Sequence, residues 1–334
     1  MTRVRWGVLS TAGIAQKALL PAFARADHAE VLAIASGSDV RKAEAVAEKF
    51  NIPNTYDSYE KLLEDPNIDA VYIPLPNHLH KEWVMEAAKK GKHILCEKPA
   101  SINADDVLEM KKVCEEHGVL FMEAFMYHFH PQHERVKEII DSGEIGNVQL
   151  MRAAFSFYLA EKDNNIRMSS EKGGGSIYDI GCYAIHSIRN ILRDEPEKVS
   201  VQGTVDPAYN VETDAVGCLE FSNGVRAVFD SSFNMTFRSE YEVVGTKGRI
   251  IVPRAYRPDN HGGDGLVIVK KANEERTETL NNDQYRMEVE HLSQAILEGK
   301  KELYHDLENT INNMRVIDAC YESIKLGEAV SLKW

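Results

Sequence analysis

Apolar, β-branched runs alternate with helically spaced segments along the first third of the chain. Val4–Leu9, Glu30–Ser36, Asp69–Ile73, His93–Cys96 and Val119–Met122 predict strands. Between them Ile14–Arg25, Val40–Phe50, Lys81–Lys90 and Ala104–His117 predict helices, the second with Val40, Ala43, Val46, Ala47 and Phe50 on one face. Gly91 and Gly118 fall where helix ends favour a positive φ. Such alternation builds an α/β domain with a parallel doubly wound sheet, whose ligands bind at the carboxyl ends of the strands. After residue 125 the pattern changes. Val199–Val205, Asp214–Phe221, Val225–Phe233, Tyr241–Val244 and Arg249–Val252 read as strands joined by turns such as Ser222-Asn-Gly224 and Gly245-Thr-Lys-Gly248. Helical patterns close the chain at Met287–Glu298 and Asp306–Leu326. The expected organisation is a dinucleotide-type domain over residues 1–124 and an α+β domain with a largely antiparallel open sheet over 125–334.

Composition narrows the partners. The 334 residues carry 39 Lys+Arg against 52 Asp+Glu, a formal net charge of −13. No basic run exists to neutralise phosphates, so nucleic acid is excluded, as is adsorption to anionic membranes. No apolar stretch approaches the roughly 20 residues of a spanning helix, and no signal peptide is visible. The five cysteines are scattered, without a C-x-x-C pair, and read as reduced thiols of a cytoplasmic protein.

The first strand leads into Ser10-Thr11-Ala12-Gly13-Ile14-Ala15. A dinucleotide fingerprint, G-x-G-x-x-G, would place glycines at Ser10, Ala12 and Ala15. All three are small, so the backbone can still approach a pyrophosphate at the helix start. An ordinary small-residue turn would carry the same residues. The second strand ends at Ser36-Gly37-Ser38, with Arg41 and Lys42 in the next turn. Small polar and basic residues there suit a 2′-phosphate and favour NADP over NAD, while Asp39 is the acidic alternative for a ribose hydroxyl.

His93-Ile-Leu-Cys-Glu97-Lys98-Pro99 sets a charged pair and a proline at a strand end. Together with Tyr72-Ile-Pro74-Leu-Pro76-Asn77-His78-Leu-His80, it resembles the glucose–fructose oxidoreductase/inositol dehydrogenase (Gfo/Idh/MocA) family. The resemblance extends through Glu123–Tyr127, through Gly173-Gly-Gly175 leading to Asp179 and Tyr183, and through Tyr285–Gly299. It implies a nicotinamide enzyme of the branch that acts on sugars and dihydrodiols and has Tyr where many members have His. Ser10–Ile14, Ser36, Ser38, Arg41, Lys42, Pro74, Asn77, His80, Glu97 and Lys98 would then line the cofactor. The family also implies dimers or tetramers through the open sheet. Two departures stand out: the replaced fingerprint glycines, and His128 where many members carry Arg.

Ser176–Leu192 reads as a helix presenting Asp179, Tyr183 and His186 on one face and Ile177, Ile180, Ala184, Ile188 and Ile191 on the other. Tyr183 is the expected proton acceptor for an alcohol. Its ordinary pKa near 10 requires a cation, which Lys98 of the other domain would supply. Asp179 would bind a substrate hydroxyl or orient the pair, with His186 as a further substrate contact. A tight turn at Lys98–Pro99 suggests a cis bond. The groups His78/His80 and His128/His130/His133 lack zinc-site spacing, so no metal is expected. The leading expectation is an NADP-preferring oxidoreductase of a sugar, polyol or cyclic diol. A non-catalytic dinucleotide- or sugar-binding sensor is the alternative, against which Lys98 and Tyr183 count. Loop composition does not specify the substrate.

Overall fold

The alternating runs of the first third fold as parallel strands wrapped by helices. In chain order they are β1 (Val4–Leu9), a π turn over Ala15–Leu19 running into α1 (Leu20–Arg25), β2 (Ala29–Ala35), α2 (Val40–Phe50), β3 (Asn54–Tyr56), α3 (Tyr59–Leu63), β4 (Ala70–Ile73), α4 (His80–Lys89), β5 (His93–Glu97), α5 (Ala104–Glu116) and β6 (Phe121–Ala124). The computed structural model describes residues 2–303 and 307–334; Asp306, the first residue of the last predicted helix, lies outside the described residues. The six strands lie in the order β3-β2-β1-β4-β5-β6, all parallel. The order reverses between β1 and β4, which opens a crevice at their carboxyl ends. Trp6, Val8, Leu9, Ile34, Val71, Ile73 and Leu95 are fully buried, as strands covered on both faces require. Asp39 and Asn103 start α2 and α5 by accepting the Arg41 and Asp106 amides. β3 and α3 are additions to the expected pattern, too short to carry a period.

The second sheet has nine strands. Its elements are α6 (Pro131–Asp141), β7 (Val148–Tyr158), α7 (Cys182–Leu192), β8 (Pro196–Asp206), β9 (Val211–Phe221), β10 (Arg226–Ser232), β11 (Asn234–Gly245), β12 (Arg249–Val252), β13 (Asp264–Lys271) and β14 (Glu274–Asn281). The helices α8 (Gln284–Leu297) and α9 (Leu307–Leu326) and the short β15 (Val330–Ser331) complete the chain. The order is β14-β13-β12-β11-β7-β10-β9-β8-β15, with β7–β10 parallel and every other pair antiparallel.

The chain divides into two bodies, one of Met1–Met126 with Tyr285–Ile311, the other of Tyr127–Gln284 with Asn312–Trp334. A single boundary after residue 124 therefore does not describe the division, because α8 returns to the first body. There Trp6 donates to Ser293 at 3.2 Å, and Arg286 and Glu290 reach Asp27 and His28. Val289, Leu292 and Ala295 supply the buried face. A chain that leaves a domain and comes back shows no composition change at the crossing.

The helix after the glycine run also differs from expectation. It opens as a π turn over Ile177–Gly181 before becoming α7, and the wider turn alters the angular offset between Asp179 and Tyr183. Its polar face carries the candidate residues under cover: Tyr183 and His186 are buried at 6% and 4% exposure. Aromatic neighbours, described below, cover what periodicity alone reads as the outer face.

Candidate active site

In the first body, the predicted residues gather at the carboxyl ends of adjacent strands. Ser10 follows β1 with φ 143°, a conformation that favours glycine, so the fingerprint geometry persists without the fingerprint residue. Its Oγ accepts the Ala12 amide at 3.1 Å. Helical winding begins at Gly13, with Thr11 and Ala12 half-buried and Gly13 and Ile14 exposed. A Cβ on Gly13 would meet no atom within 4 Å. This open loop of small residues at a helix start fits a pyrophosphate.

At the end of β2, Ser36 is buried and Ser38 exposed. Asp39 accepts the Arg41 amide, and its two oxygens take Nε and Nη2 of the same arginine at 3.0 and 2.9 Å. Arg41 holds the Asp39 carboxyl below the usual carboxylate range. The carboxylate is thus engaged locally, while the Arg41 side chain is 84% exposed and Lys42 is exposed beside it.

The ends of β4 and β5 are tied together. Pro74 is buried, and Asn77 opens the short 3-10 turn before α4. His80 is fully buried, its two ring nitrogens each 2.8 Å from the carbonyls of Leu75 and Pro99. Both neighbours are acceptors and favour the charged ring, but burial outweighs them and holds its pKa down to about 4. His80 is accordingly a brace for two loops, with both nitrogens engaged. The Lys98–Pro99 bond is cis, in agreement with the sequence expectation. Glu123 of β6 accepts the Ala100 amide at 2.8 Å, so the turn carrying Lys98 is pinned on both sides. Tyr72 donates to Glu97 at 2.6 Å. Beside them Glu288 of α8 is buried and kept above the usual carboxylate range, by desolvation first and the Glu97 charge second.

In the second body, the glycine run wraps a turn that sequence reasoning passed over. The Gly175 amide donates to the Arg167 carbonyl at 3.0 Å, and a Cβ on Gly174 would fall 2.5 Å from that oxygen. Gly175 has φ 129°, and a Cβ there would strike the Glu212 carboxylate and the Tyr321 hydroxyl. Glu212 of β9 is buried and accepts Ser176 Oγ, the Ile177 amide at 2.8 Å and Tyr321 OH at 2.9 Å. Burial raises its pKa to about 7 against those hydrogen bonds. Arg167 Nε donates to Asp179 at 2.6 Å. Tyr183 packs among Tyr127, Phe155 and Tyr256, with ring centroids 5.4–5.9 Å away. His186 takes the Tyr127 hydroxyl on Nδ1 at 2.6 Å and stands edge-on to His128 at 5.2 Å. His128 itself is stacked on Tyr127. The residues missed from sequence are Arg167, Glu212 and Tyr256, which hold others in place in this body, and the buried acid Glu288 in the first. Glu288 lay within a recognised stretch as an acid amid buried helix positions; Arg167 gave no signal beyond its nearness to the glycines. Among the described residues no group of three His, Cys, Asp or Glu converges as a metal site.

A parallel sheet with a phosphate-fitting first loop and a pinned Lys98, and a mostly antiparallel sheet with the helix that bears Asp179 and a buried Tyr183, define a two-domain nicotinamide-dependent oxidoreductase. Residues 4–125 match the oxidoreductase family with NAD-binding Rossmann fold, and residues 133–251 match the GFO/IDH/MocA C-terminal domain. The chain belongs to the Gfo/Idh/MocA family. It is 41% identical to a D-xylose 1-dehydrogenase (NADP(+)) of Haloferax volcanii, over 98% of this chain and 99% of that one. It is 31% identical to the trans-1,2-dihydrobenzene-1,2-diol dehydrogenase of Xenopus tropicalis, over 89% and 91%. A 3-ketoreductase from Actinomadura kijaniata, solved with NADP and TDP-benzene, superposes with a TM-score of 0.91 at 30% identity, covering 96% of this chain and 98% of that one.

Proposed function

We propose that the protein is an NADP-preferring oxidoreductase that moves a hydride between the nicotinamide and a secondary alcohol or carbonyl of a sugar, polyol or cyclic diol, with aldoses the first class to test. The observation that carries this reading is the setting of Tyr183: a phenol within aromatic walls, one turn after an Asp179 held by Arg167. Apolar walls with a few fixed polar groups suit a small polyhydroxylated molecule. Relatives named for xylose and dihydrodiol oxidation support the substrate class. Exposed Arg41 and Lys42, with Asp39 already engaged, support NADP.

A nicotinamide cofactor held by the Ser10–Ile14 loop would supply the hydride acceptor for the alcohol carbon. Tyr183 removes the hydroxyl proton as the carbonyl forms. A neutral phenol is a poor acceptor near pH 7, so the reaction needs a cation that favours the phenolate. Asp179 accepts a hydrogen bond from a neighbouring substrate hydroxyl and so orients the reacting carbon. Lys98 is held for its role by His80 and Glu123 through the turn that follows it. His128 and His186 shape the wall around Tyr127. Self-association through the outward face of the nine-stranded sheet, which bears Val216, Cys218 and Val228, belongs to the same proposal and is read by light scattering.

The test is turnover of NADP and NAD with aldoses, inositols and trans-diols. Tyr183→Phe should lose turnover by about a thousandfold while binding NADPH normally, and Lys98→Ala should be similarly impaired. A Tyr183→Phe enzyme of unchanged rate removes Tyr183 from the reaction. Inactivity of the wild type across the panel, with cofactor bound, refutes the catalytic reading.

A further inference from the structure

Arg167 stands at the centre of a 3-10 turn, Ile166–Met168, that Asn165 caps by accepting the Arg167 amide at 3.1 Å. Its carbonyl is gripped by the Gly175 amide, and the absence of a Cβ at Gly174 lets the chain pass within van der Waals reach of it. The guanidinium carbon lies 5.7 Å from the Phe157 ring centroid. Backbone, cap and ring together fix where this side chain points, which is unusual for an arginine in a polar loop.

Among the described residues the guanidinium uses only Nε, on Asp179 Oδ2 at 2.6 Å. The two Nη groups carry four N–H donors with no protein acceptor among the described residues. The side chain is 39% exposed and that of Asp179 is 19% exposed, so the pair faces accessible space with a rigid fork of donors beside a carboxylate acceptor. Tyr183 follows Asp179 by one helical turn, and the Arg167 charge is felt there: Tyr183 is among the groups that hold the guanidinium cationic.

A carboxylate beside a donor fork matches two adjacent hydroxyls, one donating to Asp179 and the other accepting from Arg167. We infer that Arg167 and Asp179 form one donor–acceptor unit that binds a vicinal diol of the substrate beside the Tyr183 oxygen, making Arg167 a specificity-determining residue. The inference rests on the proposed function and names the substrate feature that this site reads. An isolated alcohol fills only half of the unit and leaves a polar group of the pair unmatched, which is how a hydrogen-bonding site rejects a deoxy analogue.

The experiment compares wild type, Arg167→Met, Arg167→Lys and Arg167→Ala on an aldose and on its 2-deoxy form. Arg167→Met should raise KM for the aldose at least tenfold, change kcat less and leave NADPH affinity unaltered. The wild type should prefer the aldose over the deoxy sugar strongly, and Arg167→Met should lose that preference. Added guanidinium ion, but not urea, should restore part of the Arg167→Ala activity, a result that a merely structural role would not produce. Arg167→Lys, which keeps charge and loop packing but loses the fork, should retain the fold and most of the defect. An unchanged KM and an unchanged aldose/deoxy ratio in folded Arg167→Met overturn the inference. If the wild type turns over no sugar, protection against thermal unfolding is read instead. Protection of the wild type by a vicinal polyol, absent in Arg167→Met, upholds the diol unit while the oxidoreductase reading fails. No protection by any polyol overturns both.

Discussion

Glu212 is a buried acid placed under the start of the helix that bears Asp179 and Tyr183, and its removal should change the pH dependence of stability in a defined direction. Burial lifts its pKa from an ordinary 4.5 to about 7 in the folded protein. Between those two values the folded chain keeps a proton that the unfolded chain has lost. Raising the pH through this window therefore stabilises the unfolded state relative to the folded one, and stability falls. The gap of 2.5 (7 − 4.5), at about 1.4 kcal/mol per pH unit, amounts to about 3 kcal/mol of stability present at pH 4 and absent at pH 8. Glu212→Gln keeps an acceptor for Ser176 and the Ile177 amide and offers Tyr321 a donor in place of an oxygen. The variant should match the wild type near pH 4.5 and exceed it by about 3 kcal/mol above pH 7.5. Urea unfolding at half-unit pH steps, followed by circular dichroism, reads the difference. Glu212→Ala strands the Ile177 amide and the Tyr321 hydroxyl at every pH, while Ser176 still meets Ser231, and should be less stable than the wild type throughout, by about 1–3 kcal/mol for each donor left unsatisfied. Parallel pH curves for wild type and Glu212→Gln would refute the assignment of a raised pKa to this acid.

Further expectations come from the first body and from the glycine run. His80 titrates in the opposite sense: its folded value of about 4 lies below the ordinary 6.5, so stability is lost as pH falls through that range, and His80→Gln should flatten this loss in acid unfolding curves. Gly175→Ala places a methyl against Glu212 and Tyr321 at φ 129° and should lower stability by more than about 2 kcal/mol together with turnover; a melting temperature equal to wild type would contradict the packing described. Arg41→Ala removes an exposed cation and frees the Asp39 carboxylate, so the kcat/KM ratio for NADP over NAD should fall about tenfold. An unchanged ratio would place the 2′-phosphate elsewhere.

The parallel sheet was legible from sequence because its strands are short apolar runs and its helices carry a period, each visible in a window of about a dozen residues. Two strands of the second sheet were less so. β7, at the centre of the second sheet, mixes Arg152 and Ser156 with Phe155 and Phe157, and the charged β14 shows no apolar alternation at all. Their place is set by neighbours distant in sequence. The same boundary runs through the candidate site. Lys98, Asp179 and Tyr183 sit inside contiguous motifs and can be read as candidates. Their supports are joined over long separations, Glu123 to Ala100 across 23 residues and Glu212 to Ser176 across 36, and no local window contains both partners. Glycine spacing pointed to the neighbourhood of the site but for a different physical reason: these glycines admit the Arg167 carbonyl and the Glu212 carboxylate.

A common electrostatic arrangement follows from the supports. The chain has a net charge of −13, yet an anionic cofactor and, on the proposed function, a polyol have to be met by cations at particular points. Arg41 is paired with Asp39, and Arg167 with Asp179. In each pair the carboxylate fixes the guanidinium in place and leaves N–H groups outward, so a ligand adds to the pair without having to break it. Orientation is then set before binding, and less side-chain freedom is lost when the ligand arrives. The pairing has a cost in selectivity, because a carboxylate beside Arg41 repels the same 2′-phosphate that the guanidinium attracts. Discrimination for NADP should on this account be moderate in the wild type. It should rise when Asp39 is replaced by Asn, which keeps the helix cap and removes the negative charge. Fluorescence titrations of NADPH and NADH with Asp39→Asn decide the point: a tighter NADPH constant with an unchanged NADH constant is expected, and equal shifts in both would show that Asp39 acts on the fold of the loop instead of on the phosphate.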